Sequence, residues 1–500
     1  MNYIDQARNL LSNLDQRMSP SIYDVAWLAR LKDDGGGPRW PLLQEWLLSR
    51  QKEDGSWGSS IRHYHHDRVI CTLVAAIALA ENGEGQATSS AISRARHFLW
   101  QNTHLIYRDP ASVELIAFEL LFPTLMQEAQ VRGLQVAQHT YGYNTIRVKK
   151  LGLIPPHLLY SPKVTTVHSL EFLGQAVSPK DLQKALFPNG SLGNSPSATA
   201  FYIHVSQANG DSDHRASEAY LQKAMAHVNP VLYLYPFRNF ELIWALNCFF
   251  MLDDEFPFEK VLPAGIAERL QTQLNRDGIG LDEEFGIPDG DITSVTLHLL
   301  QRMGQEVDPA ILTNFEVPDA ALFRTYQFER NPSTGTNIHA LEALRLMRNY
   351  PNREEKMQGI IAHLLGARQY NLYWTDKWHA SPLYATSHAL VALLRMGSKV
   401  ADYCLDTIDW LANTQRSDGS WGFYDRGTAE ETAYVLVALR QAARYKYIDP
   451  DVFKKGVDFL LETSELENPD VQYPELWIGK CLYSPYDIVK SAILAALIQC

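Results

Sequence analysis

The segment IPDGDITSVTLHLL (287–300) sets two carboxylates, Asp289 and Asp291, two residues apart around Gly290, just before an apolar helical run that opens on Thr293 and Ser294. Asp-x-Asp at such a place ordinarily caps a helix or closes a turn. Two neighbouring carboxyls can also split their titration, so that one stays protonated in a shielded pocket. That state suits one demanding reaction, protonation of an isolated alkene. A carbocation forms there and any loose water traps it, so the acid must be protonated and dry.

Other residues offer further chemistry. RVKKLGLIPPHLL (147–159) places Arg147, Lys149 and Lys150 ahead of a Pro-defined turn, in a chain whose formal charge is −12. An anionic substrate must therefore be met locally. The same acidic balance argues against a general nucleic-acid surface, which needs clustered Lys and Arg. HYHHD (63–67) invites a metal reading, but adjacent His residues point in different directions on a helix or strand. Cys71, Cys248, Cys404, Cys481 and Cys500 are far apart, without zinc or redox spacing. This fits a reducing cytoplasm.

The elements that must position these groups read as helices. Apolar residues recur at helical spacing in VICTLVAAIALAEN (69–82), SVELIAFELLFPTLMQEAQ (112–130) and SHALVALLRMG (387–397), and alternating strands are scarce. Pro and Gly break the pattern into helices of about ten to fifteen residues. Five hundred residues exceed one usual core, so two domains are expected. The stretch MNYIDQARNLLSNLDQRM reads as an amphipathic helix rather than a secretion signal, and no run of eighteen apolar residues predicts a membrane span. QKEDGSWG (51–58) returns as QRSDGSWG (415–422), with a degraded cousin, LNRDGIGL, at 274–281. Asp-Gly supplies a turn, and the Trp two residues on can cover a neighbouring helix end.

The Q-x-x-x-G-x-W pattern resembles the QW motif that ties outer helices together in terpene cyclase α/α barrels. SPSIYDVAWLARL (19–31), SPSATAFY (195–202) and DKWHASPLYATSHAL (376–390) resemble segments of class II diterpene cyclases, so the likeness spans essentially the whole chain. It implies an all-α fold of two double-layered α/α barrels. A β domain would comprise residues 1–18 and 222–500, with a γ domain, 19–221, inserted after the first helix. The active site would lie between them.

The resemblance also assigns roles. Asp291 matches the general acid of the family's Asp-x-Asp-Asp motif and Asp289 its partner, while Ile292 stands where the fourth acid is usual. Asn337, in NPSTGTNIHAL (331–341), matches an Asn that hydrogen-bonds the acid. Lys150, with Lys149 beside it, matches a diphosphate contact, and Glu119 in AFELLFPTL (117–125) a Glu that helps hold Mg²⁺. TTVHSLEFLG (165–174) and HVNPVLYLYPFRNFELIW (227–244) resemble the segments carrying a His/Asn base pair, which points to His168 and Asn229. LDDEF (252–256) is only superficially similar to the aspartate-rich motif of class I synthases, since Pro257 follows, so ionisation of the diphosphate is not expected.

The implied activity is cyclisation of geranylgeranyl diphosphate to a bicyclic labdane-type, ent-copalyl diphosphate, by a cytoplasmic enzyme feeding a class I synthase. A farnesyl diphosphate cyclase giving a drimane is the nearest alternative. A helical scaffold, an inactive relative, or a protein prenyltransferase β subunit comes from other classes. The last needs Asp, Cys and His zinc ligands that have no convincing counterpart here.

Overall fold

A computed structural model describes residues 2–61, 63–109, 114–134, 136, 142–210, 213–227 and 230–499. The helices Gly290–Arg302, Thr334–Leu346, Pro382–Leu394 and Ala429–Ala442 each begin at a residue whose side-chain oxygen accepts a backbone N–H of the first turn: Asp289, Ser333, Ser381 and Thr428. These caps satisfy donors a helix start leaves orphaned, which matters because the helices are buried on nearly every side. Buried all round, they form an inner layer.

They close into a ring. In chain order, Arg238–Phe250 packs on Gly290–Arg302, then Thr334–Leu346, Pro382–Leu394, Ala429–Ala442 and Tyr486–Gln499, which returns to Arg238–Phe250. Amphipathic helices cover it from outside, Arg353–Gly366 against Thr334–Leu346 and Pro450–Thr463 against Ala429–Ala442. The first half repeats the plan: Ile22–Leu28, His65–Asn82, Phe118–Val131, the 3-10 segment Thr165–Leu173 and Pro196–Ala208 make a second ring, with Gly85–Asn102 and Arg215–His227 outside it. The fold is thus predominantly helical and double-layered, as the sequence predicts. Tyr3–Ser12 packs not on its sequence neighbours but on Tyr486–Gln499 and Arg238–Phe250.

The repeated Trp segments work as turn staples with matching geometry. Trp57 Nε1 donates to Leu47 O and Trp421 Nε1 to Leu411 O, both at 2.7 Å. Gln51 and Gln415 each donate to the carbonyl of the turn glycine and to a neighbouring helix, Ala91 O and Val452 O, at 2.9 Å. Gly55 and Gly419 sit at φ +87°, and a Cβ there would lie within 2.6 Å of a backbone oxygen, so glycine is required. Trp374 donates to Leu364 O in the same way.

The two rings are joined by a hairpin, Trp477–Ile478 with Leu482–Tyr483, whose turn carries Lys480. Its ammonium is fully buried and donates to Glu171 Oε1 at 2.6 Å and to the hydroxyls of Ser195 and Ser197 at 2.7 Å. All three protons are used on the first ring. No helix among the described residues is long and apolar enough to cross a membrane.

Candidate active site

A cavity of about 880 Å³, within the range of small-molecule sites, opens where the rings meet, lined by residues drawn from between 116 and 172 in the first half and between 233 and 483 in the second. Much of its wall is aromatic: Phe172, Tyr233, Phe240, Trp244, Tyr384, Trp477 and Tyr483. Tyr384 anchors this wall, its hydroxyl accepting from Trp244 Nε1 at 3.0 Å and its ring set 5.3 Å from that of Trp477. Such faces stabilise a passing cation without offering it a base.

Asp289 and Asp291 both line the cavity and both are buried. Asp289 Oδ1 accepts the N–H groups of Asp291 and Ile292 at 2.8 and 2.9 Å, while Gly290 N donates to Thr325 O at 2.7 Å. Glycine is needed at 290, since a Cβ would meet Arg324 O at 2.3 Å. Burial, then the charge of Asp291, pushes the Asp289 carboxyl up to about 7, even with Tyr326 and two backbone N–H groups hydrogen-bonded to it. Burial also raises Asp291, against the pull of His339.

The partner of Asp291 is His339, whose Nδ1 lies 2.6 Å from Oδ1. This corrects the expectation for Asn337. Its amide is spent on the backbone, Oδ1 accepting from Phe323 N at 2.9 Å and Nδ2 donating to the carbonyls of Phe323 and Ser333. Asn337 ties the helix start to the preceding loop, and the helix turns His339, two residues on, toward the acid. His339 Nε2 in turn meets His388 Nδ1 at 3.2 Å.

Glu119 and Lys150 both line the cavity and form an ion pair. Glu114 stands close by, its carboxyl raised by burial and then by the charge of Glu119. Glu114 accepts from the Tyr143 hydroxyl at 2.8 Å, so Glu119 and Glu114 are the carboxylates gathered at this end of the cavity. Lys149 is exposed and does not line the cavity, and Arg147 is engaged with Thr124 Oγ1 and Phe172 O at 3.1 and 3.0 Å.

His168 reaches the cavity from the 3-10 segment, with Nδ1 at 2.8 Å from Gly193 O and Nε2 at 2.8 Å from the Tyr233 hydroxyl. Burial, helped by the charge of Lys480, holds its imidazole down to about 3. Asn229 lies outside the described residues. Tyr233, missed in the sequence reading, is the group that faces His168, and its ring stacks on Tyr483 at 5.1 Å. The HYHHD residues go elsewhere: His65 and His66 bond Asp109 at 2.8 and 2.7 Å, and Asp67 accepts from Ser59 N and Leu482 N.

Comparison with known proteins adds the following. Residues 329–475 match the squalene-hopene cyclase C-terminal domain. The chain is 30% identical to a type B diterpene cyclase of Mycobacterium tuberculosis, covering 98% of both. It is also 30% identical to an ent-copalyl diphosphate synthase of a Streptomyces species, over 96% of this chain and 92% of that one. Among solved structures, it superposes on the ent-copalyl diphosphate synthase from Streptomyces platensis with a TM-score of 0.80, at 26% identity and over 99% and 98% of the two chains.

Proposed function

This chain belongs to the class II diterpene cyclases, and from that premise we propose that it cyclises geranylgeranyl diphosphate to a bicyclic labdane-type diphosphate, ent-copalyl diphosphate, with the diphosphate retained. The observation that carries the reading is the buried pair Asp289 and Asp291 facing an aromatic cavity of about 880 Å³. We assign the cavity to the junction of a unit formed by residues 19–221 with one formed by 1–18 and 222–500.

In this scheme Asp291 gives its proton to the terminal alkene. His339 hydrogen-bonds Oδ1, so the second oxygen is free to carry the acid proton into the cavity. Asp289 holds the backbone of Asp291 in place through its cap. Rings close across the aromatic wall, from which loose water is excluded. His168, neutral over the working range, accepts the final proton with Tyr233 hydrogen-bonded beside it. A weak base suffices, because a proton next to a carbocation is extremely acidic. Lys150 and Glu119 lie at the diphosphate end, where Mg²⁺ held by Glu119 would neutralise phosphate charge.

The test is incubation of the protein with Mg²⁺ and either the C20 or the C15 diphosphate, followed by dephosphorylation and chiral chromatography with mass spectrometry. A bicyclic C20 alcohol of the ent series is expected. A drimane from the C15 substrate alone would overturn the substrate assignment, and recovery of only linear alcohols from both would overturn the cyclase reading.

A further inference from the structure

An acid that gives away its proton at each turnover must recover one, and during turnover the cavity side of Asp291 faces the isoprenoid. Ile292, apolar and buried, occupies the cavity wall next to it. Polar groups continue on the opposite side. Behind Asp291 stand His339 and then His388, at 2.6 and 3.2 Å along the chain of contacts.

His388 borders a second, small cavity of about 20 Å³, enclosed by the inner helices and also lined by Asn247, His298, His339, Glu342 and Arg395. That volume accommodates one water molecule, which needs polar neighbours to be stable there. They are present: His388 Nε2 is a buried polar atom with no hydrogen-bond partner, and Glu342 Oε1 and Arg395 Nε, held in long ion pairs with Arg345 at 3.8 Å and Asp254 at 3.4 Å, belong to residues that line the same cavity. Glu342 pairs with Arg395, which with Arg302 and Arg345 reaches Asp254 at 2.8 to 3.4 Å, and the Asp254 side chain is 40% exposed. A polar route thus runs from the protein surface to the back of the acid without touching the substrate cavity.

We propose that His388 and a water in this small cavity return the proton that Asp291 delivers, a role that rests on Asp291 being the acid. Once the alkene has taken the carboxyl proton, His339 passes its Nδ1 proton to Asp291 Oδ1 and receives the Nδ1 proton of His388 on Nε2. His388 takes a proton from the water on its own Nε2, and solvent restores the water through the Glu342 and Asp254 side. Each imidazole is neutral before and after, with its proton on the other nitrogen, and rotation of the rings and the carboxyl resets the site. Solvent loses one proton here and regains one from the final deprotonation, so the turnover is proton-neutral. His388 acts through His339 and never meets the substrate.

The test separates the first turnover from the later ones. With enzyme in excess over geranylgeranyl diphosphate, His388→Gln and His388→Phe should cyclise at the wild-type rate, since Asp291 starts protonated. With substrate in excess both should show a burst of one product per active site and then slow by about 100-fold, the lower end of what a proton-transfer group contributes. Gln is the gentler replacement and guards against a packing defect from Phe, with circular dichroism confirming the fold. Equal losses in both regimes would overturn the relay and make His388 a support for the acid's geometry. Wild-type rates in both would overturn it as well. Full activity of Asp291→Asn would instead remove the acid assignment, an outcome the burst experiment cannot mimic.

Discussion

Replacing Asp289 by Asn should flatten the dependence of stability on pH. The Asp289 carboxyl titrates near 7 in the folded protein, chiefly because it is buried, against about 3.9 in an unfolded chain. Between those values the native state binds more protons than the unfolded one, so stability falls as pH rises through the window and is lowest above pH 7. From pH 5 to pH 8 the wild type should lose about 3 kcal/mol through this group, at 1.36 kcal/mol per pKa unit. Asn keeps the cap, since its Oδ1 can still accept from Asp291 N and Ile292 N. For 500 residues the unfolding entropy is about 1 kcal/mol per kelvin, so the difference is worth about 3 °C in Tm. Thermal scans of both proteins at one scan rate, at pH 5 and pH 8, measure it. Parallel shifts of the two proteins would refute the claim that Asp289 is held protonated by burial.

Asp291→Asn should keep the fold and lose at least about 100-fold in activity, and retention of more than that would defeat its assignment as the acid. Lys150→Ala and Glu119→Ala should raise the substrate or Mg²⁺ concentration needed while the product stays the same; a changed product at unchanged affinity would move them from the diphosphate end. His168→Ala, and Tyr233→Phe more mildly, should divert product to a hydroxylated bicycle, seen as an added mass of one water, because a water fills the space and meets the last cation. Unaltered alkene from both would make the pair structural. Trp421→Phe should lower stability by about 1–3 kcal/mol, since Leu411 O loses its partner in a buried turn, and an unchanged Tm would refute the staple.

The helical architecture was legible because its cause is local. Inner helices carry apolar residues on every face and several begin at Ser, Thr or Asp, and both signals lie within a few residues of each other. Asp289 and Asp291 were legible for the same reason, being cap and first turn of one helix. What the sequence hid were contacts between segments far apart in the chain. Asn337 and His339 lie in one short string, and only the phase of that helix against the Gly290–Arg302 helix, some 48 residues away in the chain, decides which reaches Asp291. A His beside Glu342 among the apolar residues of IHALEAL was the available hint. Tyr233 was obscured by Tyr235 two residues later, and its pairing with His168 depends on the hairpin that backs its ring with Tyr483. Lys480 gave no signal beyond being a lysine in an apolar stretch, since its partners come from another ring.

The packing of Tyr3–Ser12 against Tyr486–Gln499 has a consequence for how the protein is made. About 470 residues separate the two helices, and at 5–20 residues per second a ribosome needs roughly 25 to 95 s to bridge them. Throughout that interval the apolar face of the first helix, with Ala7 and Leu11, lacks its main partner, Tyr486–Gln499, and only Arg238–Phe250 becomes available to it about halfway. The ring spanning residues 22–208 can close first, while the earliest segment waits beside it for the last. The second ring is therefore completed only once Tyr486–Gln499 has been made, and a ribosome stalled before that helix leaves the apolar face of Tyr3–Ser12 without its main cover.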